Sequence, residues 1–287
     1  MITTQALSHT YKSTLALDNA TITLRKGTIS GIIGPNGSGK STLMRILSGH
    51  MFPTSGKVFF EGKEMTPDDL LGVCSYVGDG SELVAMRVPS ILNFARCRPT
   101  WNEDLFQHLI GRFGMPQKKN LARVSTGQKS MFAACISLAS QAPMIFLDEV
   151  QAHMDVPSRY ALYEEIIELA SSSNSAVILS THLISELENL IEDLIVLSSG
   201  KVIAQTTADD LRSRMTALVG PTREIDQAIP HLDGVKVASQ RSLGATQEVV
   251  LDGSLTPEQI SSLAAVGISL SAVPFQDAFL QLIGEEK

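Results

Sequence analysis

The chain has 287 residues, 44% of them hydrophobic and 18% charged. That balance excludes a disordered chain, and the length gives one large domain or one and a half with a sizeable core. Lysine and arginine total 23 against 30 aspartates and glutamates, a net charge of −7 that argues against non-specific nucleic-acid binding. No run approaches 18 uninterrupted apolar residues, so no segment is expected to span a membrane, and the opening MITTQALSHTYK lacks the basic and apolar regions of a secretory signal. Cys74, Cys97 and Cys135 are scattered and odd in number; they are expected to be reduced thiols, with neither a disulfide frame nor a metal spacing.

In chain order, residues 1–33 read as short strands, with SGIIG (30–34) a buried one, β-branched and bounded by glycine. A Gly-rich loop follows, then a helix whose apolar face is Leu43, Met44, Ile46 and Leu47. Residues 54–65 form a strand pair around a turn, and 79–141 is mostly helical with breaks at Pro89, Pro99 and Pro116. PMIFLDE (143–149) is a buried strand ending in two acids. An amphipathic helix (158–173), a second buried strand (174–182), a helical segment (183–191) and a strand–turn–strand (193–205) complete an α/β core. After a connector at 207–214, the tail reads strand, helix, strand, strand, helix, strand, helix, the ferredoxin-like order. The expected organisation is a domain over 1–215 and an α+β extension over 216–287.

Gly34-Pro35-Asn36-Gly37-Ser38-Gly39-Lys40-Ser41-Thr42 fits G-x-x-x-x-G-K-[ST] between a strand and a helix. Glycines let successive N–H groups turn inward and, with the helix N-terminus, form a nest for phosphates. Lys40 adds positive charge where charge develops during phosphoryl transfer, and the Ser41 hydroxyl suits Mg²⁺. The strand ending in Asp148-Glu149 supplies the usual complement. Asp148 would hold Mg²⁺ through water, and Glu149 would orient or deprotonate an attacking water.

Four more segments line up: Val124-Ser125-Thr126-Gly127-Gln128-Lys129 opening a helix before the acid strand, Met154-Asp155 after it, Ser180-Thr181-His182 after the next strand, and Tyr11 before the phosphate loop. Over about residues 1–205 the chain resembles the nucleotide-binding subunit of an ATP-binding cassette (ABC) transporter. The resemblance implies a P-loop ATPase core with a helical subdomain (79–141). In it two subunits sandwich two ATP molecules head to tail. Ser125, Gly127 and Gln128 would meet the partner's ATP, His182 would contact the γ-phosphate and take part in catalysis with Glu149 and Lys40, and Tyr11 would stack on adenine or else serve as a half-buried core aromatic. Asp155 would bridge the subunits or simply cap the helix at Pro157.

The sequence also departs from that family. Thr126 replaces a glycine of the signature. Asp79 stands where the family has a loop glutamine, either as an oxygen ligand for Mg²⁺ or pointing to solvent. Val150-Gln151-Ala152-His153 replaces a Pro- and Gly-containing stretch and puts His153 near the expected dimer interface. The tail through Val273-Pro-Phe-Gln-Asp-Ala-Phe-Leu280 resembles that of exporter-type (ABC-2-like) cassettes. The resemblance thus implies ATP and Mg²⁺ as cofactors, a second copy and an integral membrane permease as partners, no nucleic acid, and a place on the cytoplasmic face of the cell membrane. A soluble ABC ATPase outside transport and a low-turnover regulatory subunit are the competing readings.

Overall fold

The structure, a computed structural model, describes residues 1–78, 87–115, 121, 124–181 and 184–284. The chain divides into two compact units, Met1–Gln205 and Thr206–Lys287.

The first unit opens with β1 (Ile2–Tyr11), β2 (Thr14–Ala20), β3 (Thr23–Leu24), β4 (Ile29–Ile33) and α1 (Lys40–Leu47), then β5 (Ser55–Phe60), β6 (Lys63–Glu64), α2 (Pro67–Val73) and β7 (Cys74–Val77). Next come α3 (Val88–Ala95), α4 (Glu103–Arg112) and α5 (Thr126–Ala139), followed by β8 (Met144–Asp148), a 3₁₀ turn (Val150–His153), α6 (Val156–Ser172), β9 (Ala176–Thr181), α7 (Ile184–Leu187), β10 (Asp193–Ser198) and β11 (Lys201–Thr207). Five of the strands, in the order β10-β4-β9-β8-β7, pair in parallel, with β11 beyond β10. Every residue of β4, β8 and β9 is buried, as expected for strands covered on both faces. A second sheet, β2-β1-β5-β6 with β3 against β1, is antiparallel where β1 meets β2, β3 and β5. Leu43 and Leu47 of α1 share one core with Ile2 and Val58 of this sheet and with Ile32, Phe146 and Ile178 of the parallel sheet.

Three elements differ from the sequence expectation. α2 and β7 fill the gap left between the strand pair and residue 79. α2 has seven residues and one buried side chain, Leu70, and β7 has four residues, too short for a hydrophobic period to show. The helix expected over 183–191 is confined to α7. In the helical region, α4 packs on α5 through Phe106 and Phe132, their rings 6.4 Å apart.

The second unit contains α8 (Ala208–Arg214), β12 (Met215–Pro221), α9 (Thr222–Ala228), β13 (Lys236–Leu243), β14 (Thr246–Asp252), α10 (Pro257–Ala265), β15 (Ser269–Ala272) and α11 (Phe275–Gly284). Its strands form an antiparallel sheet in the order β13-β14-β12-β15. Its own core joins Leu218, Val249 and Leu251 of the sheet to Ile225 of α9 and Leu263 of α10. Among the described residues, no helix is long and apolar enough to cross a membrane.

Candidate functional site

β4 delivers the chain to Gly34, where a Cβ would lie 2.1 Å from the Leu197 carbonyl oxygen, so no side chain fits. The loop ends at Gly39, which caps α1 in the left-handed region (φ 102°), a conformation that favours glycine. A Cβ there would also lie 2.5 Å from the Ala16 oxygen. Lys40 is only 5% exposed. Its Nζ donates to the Gly34 oxygen at 2.9 Å and to the Pro35 oxygen at 3.1 Å, and stands 3.7 Å from Glu149 Oε1. The ammonium is thus folded against the loop that a phosphate would enter. Ser38 is buried, and its hydroxyl has no hydrogen-bond partner among the described residues. A buried hydroxyl in that state costs about 1–3 kcal/mol. Tyr11, Asn36, Lys40, Ser41, Thr42 and Glu149 border a cavity of about 370 Å³ over this loop.

Asp148, at the end of β8, is buried and held by two hydroxyls. Tyr76 Oη donates to Oδ2 at 2.9 Å and Ser180 Oγ donates to Oδ1 at 2.5 Å. Arg45 Nε donates to the same Tyr76 oxygen at 3.1 Å. Burial, and then the Asp148 carboxylate, push the Tyr76 phenol upward, so it stays a neutral donor. Its hydrogen bond to Arg45 raises the guanidinium. Glu149 takes a left-handed backbone conformation (φ 51°) with its N–H donating to Ser180 Oγ at 2.9 Å. Ser41 and Asp148 offer hydroxyl and carboxylate oxygens, donors that fit a hard cation completing its shell with phosphate and water.

A second cavity, of about 400 Å³, is bordered by Ser125, Gly127, Gln128, His153 and Asp155 together with Arg112. Ser125 and Gln128 form a reciprocal cap on α5. The serine Oγ accepts from the Gln128 N–H, and Gln128 Oε1 accepts from the Ser125 N–H, both at 3.2 Å. At Gly127 a Cβ would fall 2.3 Å from the His153 carbonyl oxygen, so α5 rests directly on the turn after Glu149. Asp155 Oδ1 accepts from the Ser158 N–H at 2.8 Å and caps α6, the plainer of its two expected roles. Tyr11 is 43% exposed, with its hydroxyl 3.4 Å from Thr42 Oγ1 and 3.1 Å from Met51 Sδ. It sits at the cavity rim and is no core aromatic.

The fold therefore gathers Asn36, Gly37, Gly39, Lys40, Ser41 and Thr42 with Tyr11 and Glu149 at one cavity, and Ser125, Gly127, Gln128 and Asp155 at another, while Gly34 and Ser38 of the loop do not line the first. Asp79 and His182 lie outside the described residues. Sequence reasoning missed Tyr76, Arg45 and Gln151, and treated Ser180 only as a neighbour of His182. The pairing of Asp148 with Ser180 across parallel strands is what brings that serine in.

A family profile described as ABC transporter matches residues 17–152. The probable sulfate/thiosulfate import ATP-binding protein CysA of Chlorella vulgaris is 30% identical over 227 residues, spanning 73% of this chain and 92% of that one. The chain belongs to the ABC transporter family. The lantibiotic transport ATP-binding protein SrtF of Streptococcus pyogenes is 29% identical over 73% of this chain and 92% of its own. The daunorubicin resistance ATP-binding protein DrrA3 of Streptomyces coeruleorubidus is 25% identical over 100% of this chain and 96% of its own. The dimeric MJ0796 cassette matches the fold with a TM-score of 0.64 at 20% identity, over 72% of this chain and 99% of that one. The cbiO1 subunit from Clostridium perfringens, part of the complex cbiONQ, matches with a TM-score of 0.61 at 23% identity, over 73% and 89%. This cassette is an ATP-binding subunit of an ABC transporter, hydrolysing ATP to drive transport.

Proposed function

We propose that this cassette powers export through a separately encoded membrane permease, as a pair of identical subunits on the cytoplasmic face of the membrane. The observation that carries the motor reading is the convergence of Lys40, Ser41 and Glu149 on one cavity. There Gly34 to Thr42 cradle the phosphates, Ser41 and Asp148 hold Mg²⁺, Tyr11 receives the base, and Glu149 orients the attacking water. When bound, Mg²⁺ neutralises charge on the phosphates. Ser125, Gly127, Gln128 and Asp155 border the face that a second copy's nucleotide would meet. ATP closes the pair because those contacts need its γ-phosphate, and hydrolysis releases them.

Export is supported by DrrA3, whose name speaks of drug resistance and whose alignment includes residues 206–287. The strand order of the second unit supports reading it as a ferredoxin-like extension. Phe94 on α3, 80% exposed, suits contact with a permease. The direct test is Glu149→Gln. Gel filtration with MgATP should show a trapped dimer, and Lys40→Ala should abolish both ATP binding and dimer formation. A Glu149→Gln protein that hydrolyses ATP at the wild-type rate would sink the reading. ATP-driven accumulation in inside-out vesicles carrying the permease tests direction.

A further inference from the structure

Ser180 is fully buried at the end of β9, in register with Asp148 of β8. Its hydroxyl makes two contacts at once. It donates to Asp148 Oδ1 at 2.5 Å and accepts the Glu149 N–H at 2.9 Å. Its backbone oxygen accepts from Gln151 Nε2 at 3.0 Å, and Gln151 is itself buried. One residue is therefore tied to each acid and to the turn that follows them.

The backbone at Glu149 explains why such a tie matters. A non-glycine residue in the left-handed region is strained and persists only where its surroundings hold it. Continuing β8 through Glu149 would alternate its side chain to the other side of the strand. The left-handed turn instead leaves its carboxylate 3.7 Å from Lys40 Nζ, at the cavity over the phosphate loop. The Ser180 hydroxyl anchors that turn at its first N–H and fixes the neighbouring Asp148 oxygen with the same atom.

We propose that Ser180 is a positioning residue for ATP hydrolysis: its hydroxyl locks Glu149 in the turned conformation and sets the spacing between the two acids. This rests on the reading of Glu149 as the acid that orients water. Removing the hydroxyl leaves the N–H of Glu149 without its anchor and lets the carboxylate drift, while the phosphate loop keeps its own contacts. The effect therefore falls on turnover and spares nucleotide affinity.

The test uses the full chain with Ser180→Ala, Ser180→Cys, Glu149→Gln and the double variant Ser180→Ala/Glu149→Gln. Cysteine keeps nearly the same volume and replaces the hydroxyl with a weak hydrogen-bonding group. Single-turnover hydrolysis gives the chemical rate, and titration with trinitrophenyl-ATP gives affinity. Both serine variants should lower the rate about 10- to 100-fold, the scale of a misplaced catalytic group, with affinity unchanged within about twofold. On the Glu149→Gln background, Ser180→Ala should lower the rate less than about threefold, because the group it positions is already disabled. Wild-type rates in both serine variants overturn the proposal while leaving Glu149 in its role. So does an equal loss on both backgrounds, or a parallel loss of nucleotide affinity. A normal rate in Glu149→Gln alone removes the reading of Glu149 first, and the proposal with it.

Discussion

At Tyr76 a single hydroxyl joins Arg45, on the helix after the phosphate loop, to Asp148 on the acid strand. Tyr76→Phe keeps the ring and deletes that link, leaving a buried carboxylate with one donor fewer. A loss of about 1–3 kcal/mol in urea unfolding is expected, together with a several-fold fall in ATP turnover. The thiols make a second residue-level prediction. Burial pushes the Cys74 thiol up to about 12 and raises Cys135 as well, whereas Cys97 is exposed. The thiolate is the reactive form, so a raised pKa keeps the two buried thiols protonated and inert at pH 8. An aromatic disulfide reagent should modify one thiol in the native protein, Cys97, and three in denaturant. The phosphate loop was legible in the sequence because its nine residues are contiguous and their chemistry is local. Tyr76 and Ser180 were not, because each meets Asp148 from a different strand, 72 and 32 residues away, and only the parallel register puts them together.

The helices show where local signals suffice and where they are overlooked. α2 carries a plain start signal, Thr66-Pro67-Asp68-Asp69, which the structure realises as a reciprocal cap. The hydrophobic period missed the helix because it buries one residue, while the cap would have found it. Ser125 and Gln128 show the same signal in the segment already read as opening a helix, and the structure realises it as the reciprocal cap that starts α5. At Asp155 the two expected roles can be separated by substitution. Asparagine caps a helix as well as aspartate does, and alanine does not. Asp155→Ala should lower the thermal midpoint and Asp155→Asn should preserve it. If the charge also bridges two subunits, only ATP-dependent dimer formation falls in Asp155→Asn, which light scattering with MgATP would read. Gly127 joins α5 to the turn after Glu149 so closely that an added methyl must move one of them. Gly127→Ala should destabilise by about 1–3 kcal/mol and slow hydrolysis even when nucleotide affinity is intact, seen by comparing urea unfolding with analogue titration.

On the scale of the whole molecule, each unit has a core cluster of its own among the described residues. The tail was readable as alternating strands and helices because each of its elements is bounded by a turn or a cap, such as Thr256-Pro257 before α10. Its pairing order was not in the periodicity, since antiparallel partners are chosen by the fold. Separate cores imply separate responses. Nucleotide binds the first unit, so MgATP at a hundred times its Kd should stabilise that unit by about 2.7 kcal/mol. Leu251 is fully buried in the second core, and Leu251→Ala should weaken that core by about 2–5 kcal/mol. Scanning calorimetry of the full chain should therefore resolve two transitions. MgATP should raise one of them and Leu251→Ala should lower the other. In Lys40→Ala the response to nucleotide should vanish and both transitions should remain. A single transition that moves with both perturbations would show that the units unfold as one, and would make the second unit part of the motor's own stability.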